Sequence, residues 1–213
     1  MKKRISVIKG DGIGPEITRQ AVKVLDAIAA TYQHDFQYTE VDMGACAIDK
    51  HGEPITDADL QKCLESDAVL LGAIGDPKFD NDPTIKVRPE QGLLKLRKTL
   101  GLHSNIRPIS TYDQVVDSSP LKKERVQDVD FVIYRELIGG IYFGEKKLSE
   151  DERSATDLCE YSVDQIERIT RKAFEGAQRR KKKVTLVDKA NVLETSRLWR
   201  KTVGQIAKDY PEV

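Results

Sequence analysis

The strongest constraint on the fold is an alternation. Short apolar, strand-like runs are followed again and again by segments whose apolar residues recur with helical period, the pattern of an α/β protein with a largely parallel sheet. Residues 5–8 read as a buried strand, and 15–30 as a helix with Pro15 at its first position and Ile17, Ala21, Val24, Leu25 and Ile28 on one face. Strand candidates follow at 36–41 and 68–71, separated by a helix at 56–64 that Thr56 and Asp59 open in capping-box spacing. Residues 92–100 complete this half as a helix stopped by Gly101.

Beyond residue 100 the character changes. A buried strand is expected at 130–135, and Gly139-Gly140-Ile141-Tyr142-Phe143-Gly144 reads as a turn opening into an extended arm. Residues 155–161 are a further extended stretch, after which Ser162 and Gln165 cap a helix burying Val163, Ile166, Ile169, Ala173, Phe174 and Ala177. A strand at 184–187 and a helix at 194–208 carrying Leu198, Val203 and Ile206 close the chain. With no repeat or flexible linker, the expected division is a first α/β domain at 1–100 and a second at 101–213.

Composition excludes several functions. With 35 basic and 35 acidic residues the net charge is zero, so no global field recruits nucleic acid or an anionic membrane. The basic run Arg179-Arg180-Lys181-Lys182-Lys183 ends a helical pattern, where cations favour the helix C-terminus. Cys46, Cys63 and Cys159 are scattered and stand apart from His34, His51 and His103; neither a disulfide framework nor a zinc site is indicated, which fits a cytoplasmic protein. No apolar stretch approaches membrane-spanning length.

Two glycine-bearing turns follow strands. Gly10-Asp11-Gly12-Ile13-Gly14-Pro15 lies where backbone amides and a helix N-terminus can meet an anion, yet it is neither a dinucleotide fingerprint, since Pro15 replaces the third glycine, nor a phosphate-binding Walker loop. Alone it is a tight strand-to-helix turn. Gly72-Ala73-Ile74-Gly75-Asp76-Pro77-Lys78 is the second, and two such turns on one sheet edge point more towards a nucleotide than either does. In the 88–97 segment, Glu90, Leu93, Leu94 and Arg97 share one helical face, with Arg107 shortly after. Arginine forks grip carboxylates and the leucines suit hydrocarbon, a combination matched to a substrate that is part dicarboxylate and part alkyl. The segment equally fits an amphipathic helix with its leucines in the core and Arg97 in solvent.

Four motifs in order carry a resemblance: Gly-Asp-Gly-Ile-Gly-Pro-Glu at 10–16, the Arg-Pro-Glu to Leu-Arg-Lys block at 88–98, Arg135-Glu136 ahead of 139–144, and Asp188-Lys189-Ala190-Asn191-Val192-Leu193. Together they resemble the β-decarboxylating dehydrogenases, and Glu90, Leu93 and Leu94 resemble the 3-isopropylmalate dehydrogenase branch. The resemblance implies the two-domain fold of isopropylmalate and isocitrate dehydrogenases, NAD-dependent oxidative decarboxylation of 3-isopropylmalate in leucine biosynthesis, and a cytoplasmic homodimer. It implies that Arg97, Arg107 and Arg135 hold the malate carboxylates and that Leu93, Leu94 and Val192 receive the isopropyl group. Lys189 would assist removal of the C2 hydroxyl proton and Tyr142 would protonate C3. On residue type alone, Lys189 reads as a partner for Asp188 and Tyr142 as an aromatic plug in a turn. Ile13, Gly75, Asp76, Pro77, Lys78, Glu90 and Asn191 would face NAD, within a cofactor loop spanning 75–90.

A magnesium or manganese ion is implied as well, to stabilise the enolate left by decarboxylation. Its aspartate ligands are expected beyond Val213, so the chain reads as the N-terminal part of such an enzyme, truncated at its C-terminus and expected to be inactive by itself. Ile138 and Asp76 depart from the family's usual threonine and glycine. The alternatives are a dehydrogenase for another 3-substituted malate, such as tartrate or homoisocitrate, or a non-catalytic fragment that dimerises through its second-domain helices.

Overall fold

The computed structural model describes residues 1–79 and 84–213, so 80–83, part of the expected cofactor loop, lie outside the described residues. Two compact units form, Met1–Leu100 and Gly101–Val213.

The first unit is built on a parallel three-stranded sheet. Strand β1 (Lys2–Gly10) is central, flanked by β2 (Asp35–Val41) and β3 (Ala68–Ala73). Its register pairs Ile8 with Val41 on one side and with Leu71 on the other. Helix α1 (Gly14–Tyr32) carries Pro15 in its first turn, where a missing N–H costs nothing. Its buried residues are Gly14 and Thr18, with Ala21, Val22, Leu25 and Ala29 half-buried behind them. The expected apolar face is therefore rotated: Ile17, Val24 and Ile28 are exposed, because the apolar arc is wider than the strip that meets the sheet.

Helix α2 (Ala45–His51), which periodicity does not reveal in so short a span, precedes α3 (Asp57–Leu64). Thr56 caps α3 as expected, its hydroxyl accepting from Asp59 N–H at 3.0 Å. Helix α4 (Pro89–Thr99) starts three residues earlier than the spacing suggests, with Pro89 opening it and Gly101 leaving it at φ +64°. The core gathers Ile8, Val41, Met43, Ile55, Leu60, Cys63 and Leu96, against which Leu93 packs half-buried.

In the second unit, β4 (Ser104–Ser110) and β5 (Asp130–Glu136) form an antiparallel pair, and the short α5 (Lys123–Val126) lies between them in sequence. The arm is a hairpin of β6 (Lys146–Leu148) and β7 (Ala155–Asp157), exposed along both strands. Helix α6 (Val163–Gln178) begins with the expected reciprocal cap of Ser162 and Gln165. It buries Ile166, Ile169, Phe174 and Ala177, but Val163 faces solvent. Helix α7 (Glu194–Ile206) packs on α6, where Tyr161 meets Trp199 edge to face at 5.4 Å.

The expected strand at 184–187 is absent. The segment is extended in burial pattern, Val184 and Leu186 half-buried and Val187 exposed, yet it has no ladder partner among the described residues. An apolar β-branched run becomes a strand only when another chain segment takes up its hydrogen bonds. It lines a cavity of about 980 Å3 together with β5, α6 and α7.

Candidate functional site

The two glycine turns meet at the C-terminal ends of neighbouring strands in the first unit. Asp11 N–H donates to Ala73 O at 2.7 Å, and the buried Asp11 carboxylate accepts from Gly75 N–H, Ala45 N–H and Cys46 N–H, each at 2.9 Å. One carboxylate thus ties the first turn, the second turn and the start of α2 together, and fills the concavity of amides that an anion would otherwise take. Sequence inspection passed over Asp11, because its partners lie far along the chain.

Ile13 and Gly12 stay exposed at the tip of the first turn, and a methyl placed on Gly75 would stand 3.4 Å from Glu90 Oε1. Exposed backbone, an apolar side chain and a carboxylate are thereby collected at one sheet edge, and they could receive a ribose and a flat heterocycle. Lys78 is engaged, its ammonium 2.6 Å from Asp49, and the hydrogen bond to that carboxylate pushes its pKa up. Asp76 has a local role: its carboxylate accepts from Lys78 N–H at 3.0 Å and caps the single turn Pro77–Phe79. On α4, Glu90 is exposed while Leu93, Leu94 and Arg97 are half-buried. Leu96, absent from the expected face, is the deeply buried one at 2% exposure. The amphipathic-helix reading is met by Leu96 in the core, with Leu93, Leu94 and Arg97 only half-buried beside it.

In the second unit, register explains how two arginines come together. Asn105 pairs with Arg135, and Arg107 follows two residues after Asn105, so Arg107 and Arg135 project from one face of the β4–β5 pair as diagonal neighbours. Arg107 Nε donates to Asn105 Oδ1 at 2.6 Å, which fixes its fork. The Arg135 guanidinium sits over the Tyr142 ring, 5.3 Å from its centroid.

Glu136 makes that turn rigid. Buried at the end of β5, it accepts from Ile138 N–H, from Gly139 N–H at 2.7 Å and from Arg168 Nη2 at 3.0 Å. Ile138 thus contributes its amide, which no side-chain change alters. Gly140 has φ +70°, and a side chain there would strike the Tyr161 hydroxyl, so glycine is required. Burial, then the nearby Cys159 and Glu136, push the Tyr161 phenol up, while Tyr142 is exposed.

Lys189, Asn191 and Val192 lie on the exposed loop before α7. The pairing of Lys189 with Asp188 is not formed. Asp188 is instead engaged by Arg200, and that hydrogen bond, ahead of one from Ala190 N–H, holds its carboxyl below the usual range. Among the described residues no group of three or more His, Cys, Asp or Glu side chains is gathered as a metal ion needs, and no helix is long and apolar enough to cross a membrane.

The sequence model described as isocitrate/isopropylmalate dehydrogenase matches residues 4–213. The chain belongs to this family. Among relatives of the isocitrate/isopropylmalate dehydrogenase family, 3-isopropylmalate dehydrogenase of Aquifex aeolicus is 52% identical over 217 residues, covering 100% of this chain and 59% of the relative. That of Priestia megaterium is 48% identical over 216 residues, covering 100% and 58%. The chain therefore spans somewhat under two thirds of the length of these relatives. Isocitrate dehydrogenase from Methylococcus capsulatus superposes with a TM-score of 0.78 at 32% identity, over 99% of this chain and 58% of that one. A β-decarboxylating dehydrogenase from Thermococcus kodakarensis gives 0.68 at 34% identity, over 97% and 55%. The α/β fold expected from the sequence is the fold of this family.

Proposed function

We propose that these residues serve the NAD-dependent oxidative decarboxylation of 3-isopropylmalate to 2-oxoisocaproate in leucine biosynthesis, in the cytoplasm. The observation that carries the reading is the turn of the second unit. A guanidinium lies over the Tyr142 ring and a second arginine projects from the same face of the strand pair, which would set carboxylate-binding groups near a phenol able to act as an acid. The roughly 50% identity to enzymes named for that substrate supports it independently.

Arg107 and Arg135 would hold carboxylate oxygens by charge-assisted hydrogen bonds, and Arg97 on α4 would do the same, with Leu93, Leu94 and Val192 receiving the isopropyl group. NAD, when bound, accepts the C2 hydride, and Ile13, Gly75–Lys78, Glu90 and Asn191 are its proposed contacts. As the hydride leaves, Lys189 takes the C2 hydroxyl proton. The C3–carboxylate bond then breaks, carbon dioxide departs, and the electron pair on C3 takes a proton from the Tyr142 hydroxyl. Magnesium or manganese belongs to the reading, but the described residues gather no ligand set for it, and no step here runs through one. A homodimer, with Lys189, Asn191 and Val192 serving the partner's site, completes the proposal.

The test is a chimera in which residues 1–213 replace the aligned part of the Aquifex aeolicus enzyme. It should reduce NAD with 3-isopropylmalate at a kcat/KM about 100-fold above that with isocitrate, the scale on which an apolar pocket discriminates. A preference for isocitrate, tartrate or homoisocitrate would hand the assignment to that substrate.

A further inference from the structure

Asp188 is the carboxylate next to Lys189 in the chain, and the short distance along the backbone would let the two pair. Instead Arg200 reaches back from α7, Nε donating to Asp188 Oδ2 at 3.0 Å and Nη2 to Oδ1 at 2.8 Å, a two-pronged grip that also accommodates Ala190 N–H on Oδ1 at 3.0 Å. The Asp188 side chain is only 8% exposed, whereas that of Arg200 is 67% exposed. Lys189 N–H donates to Ser196 Oγ at 3.1 Å, and among the described residues the Lys189 ammonium has no hydrogen-bond or ion-pair partner.

We propose that Arg200 is a positioning residue: by occupying both oxygens of Asp188 it keeps that carboxylate from pairing with Lys189 and leaves the amine able to give up and take a proton.

An ammonium paired with a carboxylate holds its proton more tightly, and a lysine serves as a base only when such pairing is absent. The other charges around the loop do not supply a substitute partner. Arg197 binds Ala190 O at 2.9 Å and pairs with Glu194 on its own helix. Of the carboxylates lining the adjoining cavity, Asp130 is taken by Arg180 and Lys181, and Glu136 by Arg168. Among these carboxylates, Asp188 is the one adjacent to Lys189 in the chain, and Arg200 is what occupies it. Without Arg200, Asp188 would keep the Ala190 N–H but lose its ion pair, leaving a carboxylate oxygen open to the adjacent Lys189.

The inference rests on Lys189 being the base, yet its test needs no turnover. Trace acetylation of the 213-residue chain with acetic anhydride, quantified by mass spectrometry at Lys189 relative to the exposed Lys23, reads how readily the amine gives up its proton. In Arg200→Gln, Lys189 labelling at neutral pH should fall about tenfold relative to Lys23. Adding Asp188→Asn should restore it, because the captured charge is then gone. Unchanged labelling in Arg200→Gln overturns the proposal. So does a fall that Asp188→Asn does not reverse, since that marks a distorted loop and no capture. If labelling follows the proposal while Lys189→Met leaves NADH formation by the chimera intact, the sequestering of Asp188 stands and the assignment of Lys189 as base falls.

Discussion

Arg135 and Tyr142 meet with the guanidinium carbon 5.3 Å from the centre of the phenol ring, although a full turn of chain separates them. The contact uses the ring face and leaves the hydroxyl uninvolved, which makes Tyr142→Phe a selective change: packing on Arg135 survives and the acidic proton is lost. In the chimera, Tyr142→Phe should form NADH in a single turnover at close to the parent rate, yet slow product formation about 100-fold, within the range general acids contribute. Lys189→Met should suppress the NADH step itself. Equal loss of the hydride step in both variants would contradict the division of roles.

Three leucines of α4 behave differently because each meets a different environment. Leu96 is 2% exposed in the core, so Leu96→Ala should cost about 2–5 kcal/mol in urea unfolding. Leu93 is half-buried against that same core, and Leu93→Ala should cost about 1–2 kcal/mol in addition to any effect on substrate choice. Leu94 is half-buried without being part of that cluster. In the chimera, Leu94→Ala should therefore narrow the kcat/KM preference for isopropylmalate over malate by about tenfold or more at little cost in stability. An unchanged ratio would remove Leu94 from the pocket.

What could be read from the sequence divides by range along the chain. The caps of Thr56 on Asp59 and Ser162 on Gln165 were legible because donor and acceptor lie three residues apart. Strands β1 and β5 announced themselves as apolar runs, but only β1 is buried as expected, since Phe131 and Ile133 of β5 are exposed. Strand β4 did not, with Pro108 inside it and Ile106 exposed. The run at 184–187 has strand composition but no ladder partner, and pairing is a nonlocal property. The site shows the same division. Its arginines, tyrosine and lysine stand in motifs, whereas the buried or half-buried carboxylates of the turns find partners farther along the chain, a backbone amide for Asp11 and guanidinium groups for Glu136 and Asp188. Asp11 reaches Gly75, Glu136 reaches Arg168 and Asp188 reaches Arg200, and none of these contacts leaves a periodic signature.

The brace at Asp11 predicts a stability effect. Asp11→Ala would strand three amides, one of them on the buried Ala45, and should destabilise the first unit by at least about 2 kcal/mol. Asp11→Asn, which keeps one acceptor oxygen, should cost less. Equal urea midpoints for Asp11→Ala and the parent would show that water replaces the carboxylate at no loss.

Acid should loosen the join between β5 and the basic segment that follows α6. Arg180, and then Lys181, hold the Asp130 carboxyl below the usual carboxylate range. A group whose folded value is depressed lends stability that is complete above its unfolded value, about 3.9, and that disappears as pH falls through the folded value. The Tm gap between the parent and Asp130→Asn should therefore be constant from neutral pH to about 4 and close below it. Because the pair is solvent-exposed, the gap should be small and should shrink in about 1 M salt. A gap that persists at low pH would locate the effect in something other than charge.

The proposed sharing of Lys189 across a two-fold axis can be tested by complementation. If each site takes Tyr142 from one chain and Lys189 from the other, a heterodimer of Lys189→Met and Tyr142→Phe chimeras contains one site with both defects and one with neither. With random exchange half the dimers are mixed, so mixing should restore about one quarter of the parent's sites from two nearly inactive stocks. If both residues of a site came from one chain, every site would carry a single defect and mixing would restore nothing. Exchange must be followed in the same samples by native mass spectrometry. Restored activity that rises in step with the mixed dimer would support sharing, and mixed dimer without activity would refute it.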